Sequence, residues 1–126
     1  MQVWSRFINN PCRKAVGDCA VRAVSAALNL TWYEAYDLLC QKGREICNLP
    51  SADEVWSAVL IDHGFRRRVI PSAMSPRYTA EDFCRDHPQG VYVLAFGGHV
   101  ATVRDGVLLD SWDSSREVPV YYYSRR

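Results

Sequence analysis

Gly90-Val91-Tyr92-Val93-Leu94-Ala95-Phe96-Gly97-Gly98-His99-Val100-Ala101-Thr102-Val103-Arg104-Asp105-Gly106-Val107-Leu108-Leu109-Asp110-Ser111-Trp112 reads as consecutive strands of one sheet. Its first part, residues 90–96, is almost wholly apolar, β-branched or aromatic, as in a central strand covered on both faces. Asp105-Gly106, set between the apolar runs 99–104 and 107–112, is the strongest short-range signal for a two-residue hairpin turn. A type I′ turn there pairs Arg104 with Val107, Val103 with Leu108, Ala101 with Asp110 and His99 with Trp112. Opposed residues share a face. His99 and Asp110 then become diagonal neighbours with Cβ atoms about 7–8 Å apart or less, a gap two polar side chains close with a hydrogen bond.

Outward from the hairpin, residues 65–70 and 118–123 read as further strands, the last one at a sheet edge. The first half of the chain has helical period instead. Residues 20–28 continue a helix from Cys19. Thr31-Trp32-Tyr33-Glu34 has capping-box spacing and opens a helix running to Gly43. Ser51-Ala52-Asp53-Glu54 repeats that spacing before a helix ending near Gly64, and Thr79-Ala80-Glu81-Asp82 starts a short helix that stops before Pro88. Helices first and antiparallel strands second predict an α+β domain.

With 126 residues and 48% hydrophobic content, the expectation is one domain over residues 1–126 that buries its own core. Fifteen Lys+Arg against 14 Asp+Glu leave a formal net charge of +1, so no global field directs the chain to nucleic acid or to an anionic membrane. No window reaches the length of a membrane span, and residues 1–10 lack a secretory pattern. Five irregularly spaced cysteines agree with a reducing compartment, so a cytoplasmic location is expected.

Cys19 follows Gly17-Asp18 and heads the run Ala20-Val21-Arg22-Ala23-Val24-Ser25-Ala26-Ala27-Leu28. That places a thiol at a helix N-terminus, where unpaired N–H groups and the helix dipole favour thiolate. The dipole is worth about 0.3–1 kcal/mol, whereas one pKa unit is about 1.4 kcal/mol, so an ordinary thiol needs a stronger partner to ionise at neutral pH. A charged imidazole fits. His99 is the candidate base, and Asp110 the group that fixes its tautomer and stabilises its charged form. Asp18 opposes a neighbouring thiolate unless its carboxylate caps the helix or pairs with Arg22.

Asp18-Cys19 opening a helix, Gly98-His99 beginning one strand and Asp110-Ser111-Trp112 ending the next resemble the papain-like cysteine peptidase superfamily. An Asp close after the His is more similar to its compact bacterial branches, such as the bacteriocin-leader-processing peptidases. Asn10-Pro11, the segment Gly17-Asp18-Cys19-Ala20-Val21-Arg22-Ala23 and Trp112-Asp113 also resemble small papain-like proteins of phages and prophages, so the likeness covers nearly the whole chain. It implies a papain-like fold, a Cys19-His99-Asp110 triad, a Trp112 that shields the His–Asp contact, a protein or peptide substrate and no cofactor.

Members of those families usually carry a Gln shortly before the nucleophile as oxyanion donor, where this chain has Arg13. Asn10 is the nearest amide, with Asn9 beside it. The Cys19 backbone N–H, together with Asn10 or Arg13, is therefore the candidate oxyanion pair. Three activities fit such a frame: hydrolysis through an acyl-enzyme, acyl transfer to an amine or alcohol by the same residues, and an inactive phage-type protein that binds a partner in the host cytoplasm.

The remaining reactive residue types read as structural. Cys40, Cys47 and Cys84 are expected in the core and Cys12 in a loop. His63 and His87 sit at helix C-termini, where a ring meets the last carbonyls. Trp32, Tyr33, Tyr36, Trp56 and Trp112 read as core, Asp53-Glu54 and Glu81-Asp82 as first-turn charges, and Arg66-Arg67-Arg68 as solvated or packed arginines. No C-x-x-C or H-x-x-x-H spacing suggests a metal.

Overall fold

The hairpin forms in the register its turn dictates. In the computed structural model, which describes residues 2–71 and 77–125, Asp105 and Gly106 adopt φ of 51° and 77°, as a type I′ turn requires. Thr102 stands opposite Leu109, Val103 opposite Leu108 and Arg104 opposite Val107.

In chain order the elements are β1 (Trp4–Arg6), α1 (Cys19–Leu28), α2 (Trp32–Ile46), α3 (Asp53–Asp62), β2 (Arg66–Val69), α4 (Ala80–Asp86), β3 (Val91–Phe96), β4 (His99–Arg104), β5 (Val107–Asp110) and β6 (Tyr121–Ser124). This is an α+β arrangement around one six-stranded sheet ordered β1-β5-β4-β3-β6-β2. Among the described residues, no helix is long and apolar enough to cross a membrane.

Alternation along β3 gives it two packed faces. Val93 and Ala95 join α1, α2 and α3 in one core, with Val24, Leu39, Leu60 and Phe65 among its buried members. Leu94 points the other way, into a core with Ala80, Phe83 and Cys84 of α4 and with Ala101, Val103 and Leu108. The doubly covered central strand expected at residues 90–96 is therefore present. Each fully buried Leu or Phe here contributes about 1.5–3 kcal/mol of burial.

Three expectations about the sheet need correction. The C-terminal strand is not an edge: β6 lies between β3 and β2, because Tyr121 and Tyr123 pack on one core while Tyr122 packs on the other. The sheet is mixed rather than antiparallel, since β1, from a segment with no clear strand period, pairs parallel with β5. β5 stops at Asp110, so Trp112 is not a ladder partner of His99.

The helix ends show which local signals held. Thr31 accepts from the Glu34 N–H at 3.1 Å while Glu34 accepts from the Thr31 N–H at 2.9 Å, a complete capping box, and Thr79 with Asp82 forms another. Ser51 does not cap. Ala52 occupies the N-cap of α3 without a side-chain bond, while the Asp53 and Glu54 carboxylates accept instead from Trp56 Nε1 and Asn48 Nδ2. α2 runs past Gly43 to Ile46, and Gly43 serves close packing, since a Cβ there would lie 2.7 Å from the Asn48 carbonyl oxygen. Cys47, expected in the core, is exposed and closes α2 with φ of 58°. Tyr33 and Tyr36 are likewise exposed on α2, whereas Trp56 is buried. His63 and His87 meet the carbonyls of Val59 and Phe83 as expected.

Candidate active site

Cys19 is the first residue of α1, half-buried, with no acidic residue in the helix's first turn. His99 is the first residue of β4, placed there by the Gly97-Gly98 turn, and Asp110 is the last of β5. The hairpin register brings the latter two into contact: His99 Nε2 lies 2.6 Å from Asp110 Oδ2. The same ring interacts with the Cys19 thiol, and each group shifts the other's pKa.

These contacts set the protonation. Its hydrogen bond to His99 pulls the Cys19 thiol below its ordinary value, against the opposing effect of burial, helped by the His99 charge, the Val100 backbone N–H and the Arg22 charge. The hydrogen bond to Asp110, followed by that to Cys19, pushes His99 up to about 9. Burial would raise the Asp110 carboxyl, but its bonds from His99 and Ser114 outweigh this and hold it below the usual carboxylate range. The row thus favours an ionised sulfur beside a protonated ring and an ionised carboxylate.

Asp110 is completely buried, and all of its acceptor capacity is used. Oδ2 accepts from His99 and, at 2.6 Å, from Ser114 Oγ; Oδ1 accepts from the Ser111 N–H at 2.8 Å and faces Arg22 Nη2 at 3.3 Å. Its carbonyl oxygen accepts from the Phe7 N–H at 2.8 Å and from Trp4 Nε1 at 3.1 Å, which ties it to the parallel strand β1. The carboxylate has no freedom to turn away from the ring.

Arg22 and Ser114 were not singled out as site residues in the sequence. Arg22 is 8% exposed and lies between two carboxylates, paired with Asp18 on one side and facing Asp110 on the other. The signal was present, because an arginine in a helix whose other residues are apolar apart from Ser25 is a buried charge in need of a partner. Asp18 does pair with Arg22 as expected but does not cap α1; its second oxygen accepts from Trp32 Nε1 at 2.9 Å. Both of its oxygens are thus engaged by partners other than the thiol.

Trp112, expected in the core, is 47% exposed, because it follows the end of β5 rather than extending it. Its ring centroid lies 5.5 Å from that of His99, and Phe96 stacks at 5.8 Å on the same imidazole. Asn10 is buried in the segment that leaves β1 beside Asp110 and returns to Cys19. Its Oδ1 accepts from the Cys12 N–H at 2.8 Å, which orients the amide and leaves Nδ2 as its donor. Arg13 is exposed. Cys12, Cys40 and Cys84 are free thiols, and burial pushes that of Cys84 up to about 12.

Compared with known proteins, the chain matches no family model, no curated protein and no solved structure.

Proposed function

We propose that this chain is a papain-like thiol hydrolase that cleaves an amide bond in a protein or peptide through Cys19, His99 and Asp110. The observation that carries the reading is His99 bonded to a buried, four-bonded carboxylate and interacting with the Cys19 thiol, with the thiol lowered and the imidazole raised to about 9. That is the charge distribution an activated nucleophile requires. A core cysteine such as Cys84 shows the opposite shift.

In the reaction, Cys19 Sγ attacks the carbonyl carbon, forming a carbon–sulfur bond and moving the π electrons to oxygen. The oxyanion is met by the Cys19 backbone N–H and by Asn10 Nδ2. Its collapse expels the amine, which takes the proton from His99. Neutral His99 next removes a proton from water as it attacks the thioester, and breakage of the carbon–sulfur bond restores the thiolate and imidazolium. Asp110 holds the ring throughout without taking the proton. Five free cysteines in this chain are consistent with work in a reducing compartment such as the cytoplasm.

The test is the alkylation rate of Cys19 against pH, in wild type and in His99→Ala. Wild type should react well below about pH 8, and the variant should lose that reactivity. A reactivity midpoint near the ordinary thiol value in both proteins would refute the reading. Product analysis with and without an added amine then separates hydrolysis from acyl transfer.

A further inference from the structure

Across the sheet from the site, β2 is an edge strand made almost entirely of arginine, Arg66-Arg67-Arg68-Val69. Its inner side pairs with β6, and among the described residues no backbone hydrogen bond meets its outer side. Alternation puts Arg66 and Arg68 on one face. Together with Gly64 and Arg125, they line an open cavity of about 490 Å³, and among the described residues its lining includes no carboxylate.

The side chains there are not neutralised as three other cations of the fold are. Arg22, Lys42 and Arg85 each reach an Asp or Glu. By contrast, Arg68 bonds the Ser124 hydroxyl at 3.1 Å, Arg67 lies over the Tyr121 ring, Arg125 lies over the Phe65 ring, and Arg66 is exposed. Guanidinium groups gathered without counter-charge repel one another, and an anionic partner would relieve that repulsion. Charge on an edge also discourages indiscriminate strand pairing, which leaves pairing open to a partner of opposite sign.

We infer that the outer edge of β2 is a docking site for an extended acidic peptide of another protein, which adds as a strand and places alternate carboxylates against Arg66 and Arg68. Two features favour a peptide over nucleic acid. The unpaired edge offers backbone donors and acceptors at strand spacing, and the two nearby rings are already covered by Arg67 and Arg125, leaving no stacking platform for bases. Arginine suits the task because its planar fork takes a carboxylate through two bonds. Val69, 74% exposed at the other end of the strand, adds an apolar contact on the opposite face. The inference is independent of Cys19 and stands or falls apart from the hydrolase reading.

The experiment is fluorescence anisotropy of the full chain with a short, end-blocked, labelled peptide alternating glutamate and valine. Its controls are the lysine counterpart, the glutamate peptide N-methylated at alternate residues, and a labelled single-stranded oligonucleotide. Saturable binding of the glutamate peptide is expected, weakened at least about tenfold by N-methylation and by Arg66→Glu, and weakened by salt. Among the described residues Arg66 makes no side-chain bond, so that variant should keep the wild-type circular dichroism and melting temperature. Absence of saturable binding, equal binding of the lysine or N-methylated peptide, insensitivity to Arg66→Glu, or tighter binding of the oligonucleotide would each overturn the proposal.

Discussion

Arg22 shows how one side chain can hold a site it never touches chemically. It lies buried between Asp18 and Asp110, so its removal leaves two carboxylates without their shared counter-charge. Breaking such a buried pair costs about 3–5 kcal/mol, whereas exposed pairs contribute little. Arg22→Ala should therefore lower the unfolding free energy measured by urea titration by an amount in that range and also blunt the alkylation of Cys19 at neutral pH. Arg22→Lys should recover stability only in part, because a single ammonium cannot span both acids as a planar fork does. A variant as stable as wild type would show that the bridge is not needed. The neighbourhood of the proposed triad was readable because each member carried a local signal: a turn before Cys19, a glycine pair before His99 and a hairpin register for Asp110. Arg22 and Ser114 carried weaker ones, since their role depends on what a helix and a turn meet only after folding.

At the scale of elements, the two Ser/Thr-x-x-Glu spacings look alike in sequence and differ in the fold. Thr31 caps α2 with both reciprocal bonds, while Ser51 stands one residue too early and Ala52 takes the N-cap of α3. Thr31→Ala should cost about 1 kcal/mol, and Ser51→Ala should fall within about 0.5 kcal/mol of wild type. Paired thermal melts of the two variants check this directly. The capping bonds are local, yet which residue occupies the cap is set by competition from outside the motif. Asn48 and Trp56 claim the acids of α3, so the box cannot close. The Asp105-Gly106 turn had no such competitor and formed as read.

For the molecule as a whole, the site ties stability to pH. His99 is raised from 6.5 to about 9, so the native state holds its proton more tightly than the unfolded chain does. That contribution is complete below pH 6.5 and is lost as pH rises through about 9. Asp110 is lowered from 3.8, so its contribution is present above that value and is lost as pH falls through the lowered pKa. The stability advantage of wild type over His99→Ala should accordingly be broad through neutral pH and shrink beyond about pH 9, as measured by urea unfolding across a pH series. The proposed hydrolase activity should decline over the same alkaline range as the imidazolium loses its proton. An advantage constant from neutral pH to pH 10 would contradict the assigned ring charge. By itself, the sequence determined the helices, the central strand, the hairpin register and the His99–Asp110 neighbourhood, because periodicity, capping and turn chemistry act over a few residues. Only the tertiary structure decided that β1 joins in parallel, that β6 is interior, that Trp112 stays half in solvent and that Arg22 braces Asp110. Those outcomes depend on which distant surfaces must be buried together, and no local preference encodes that sum.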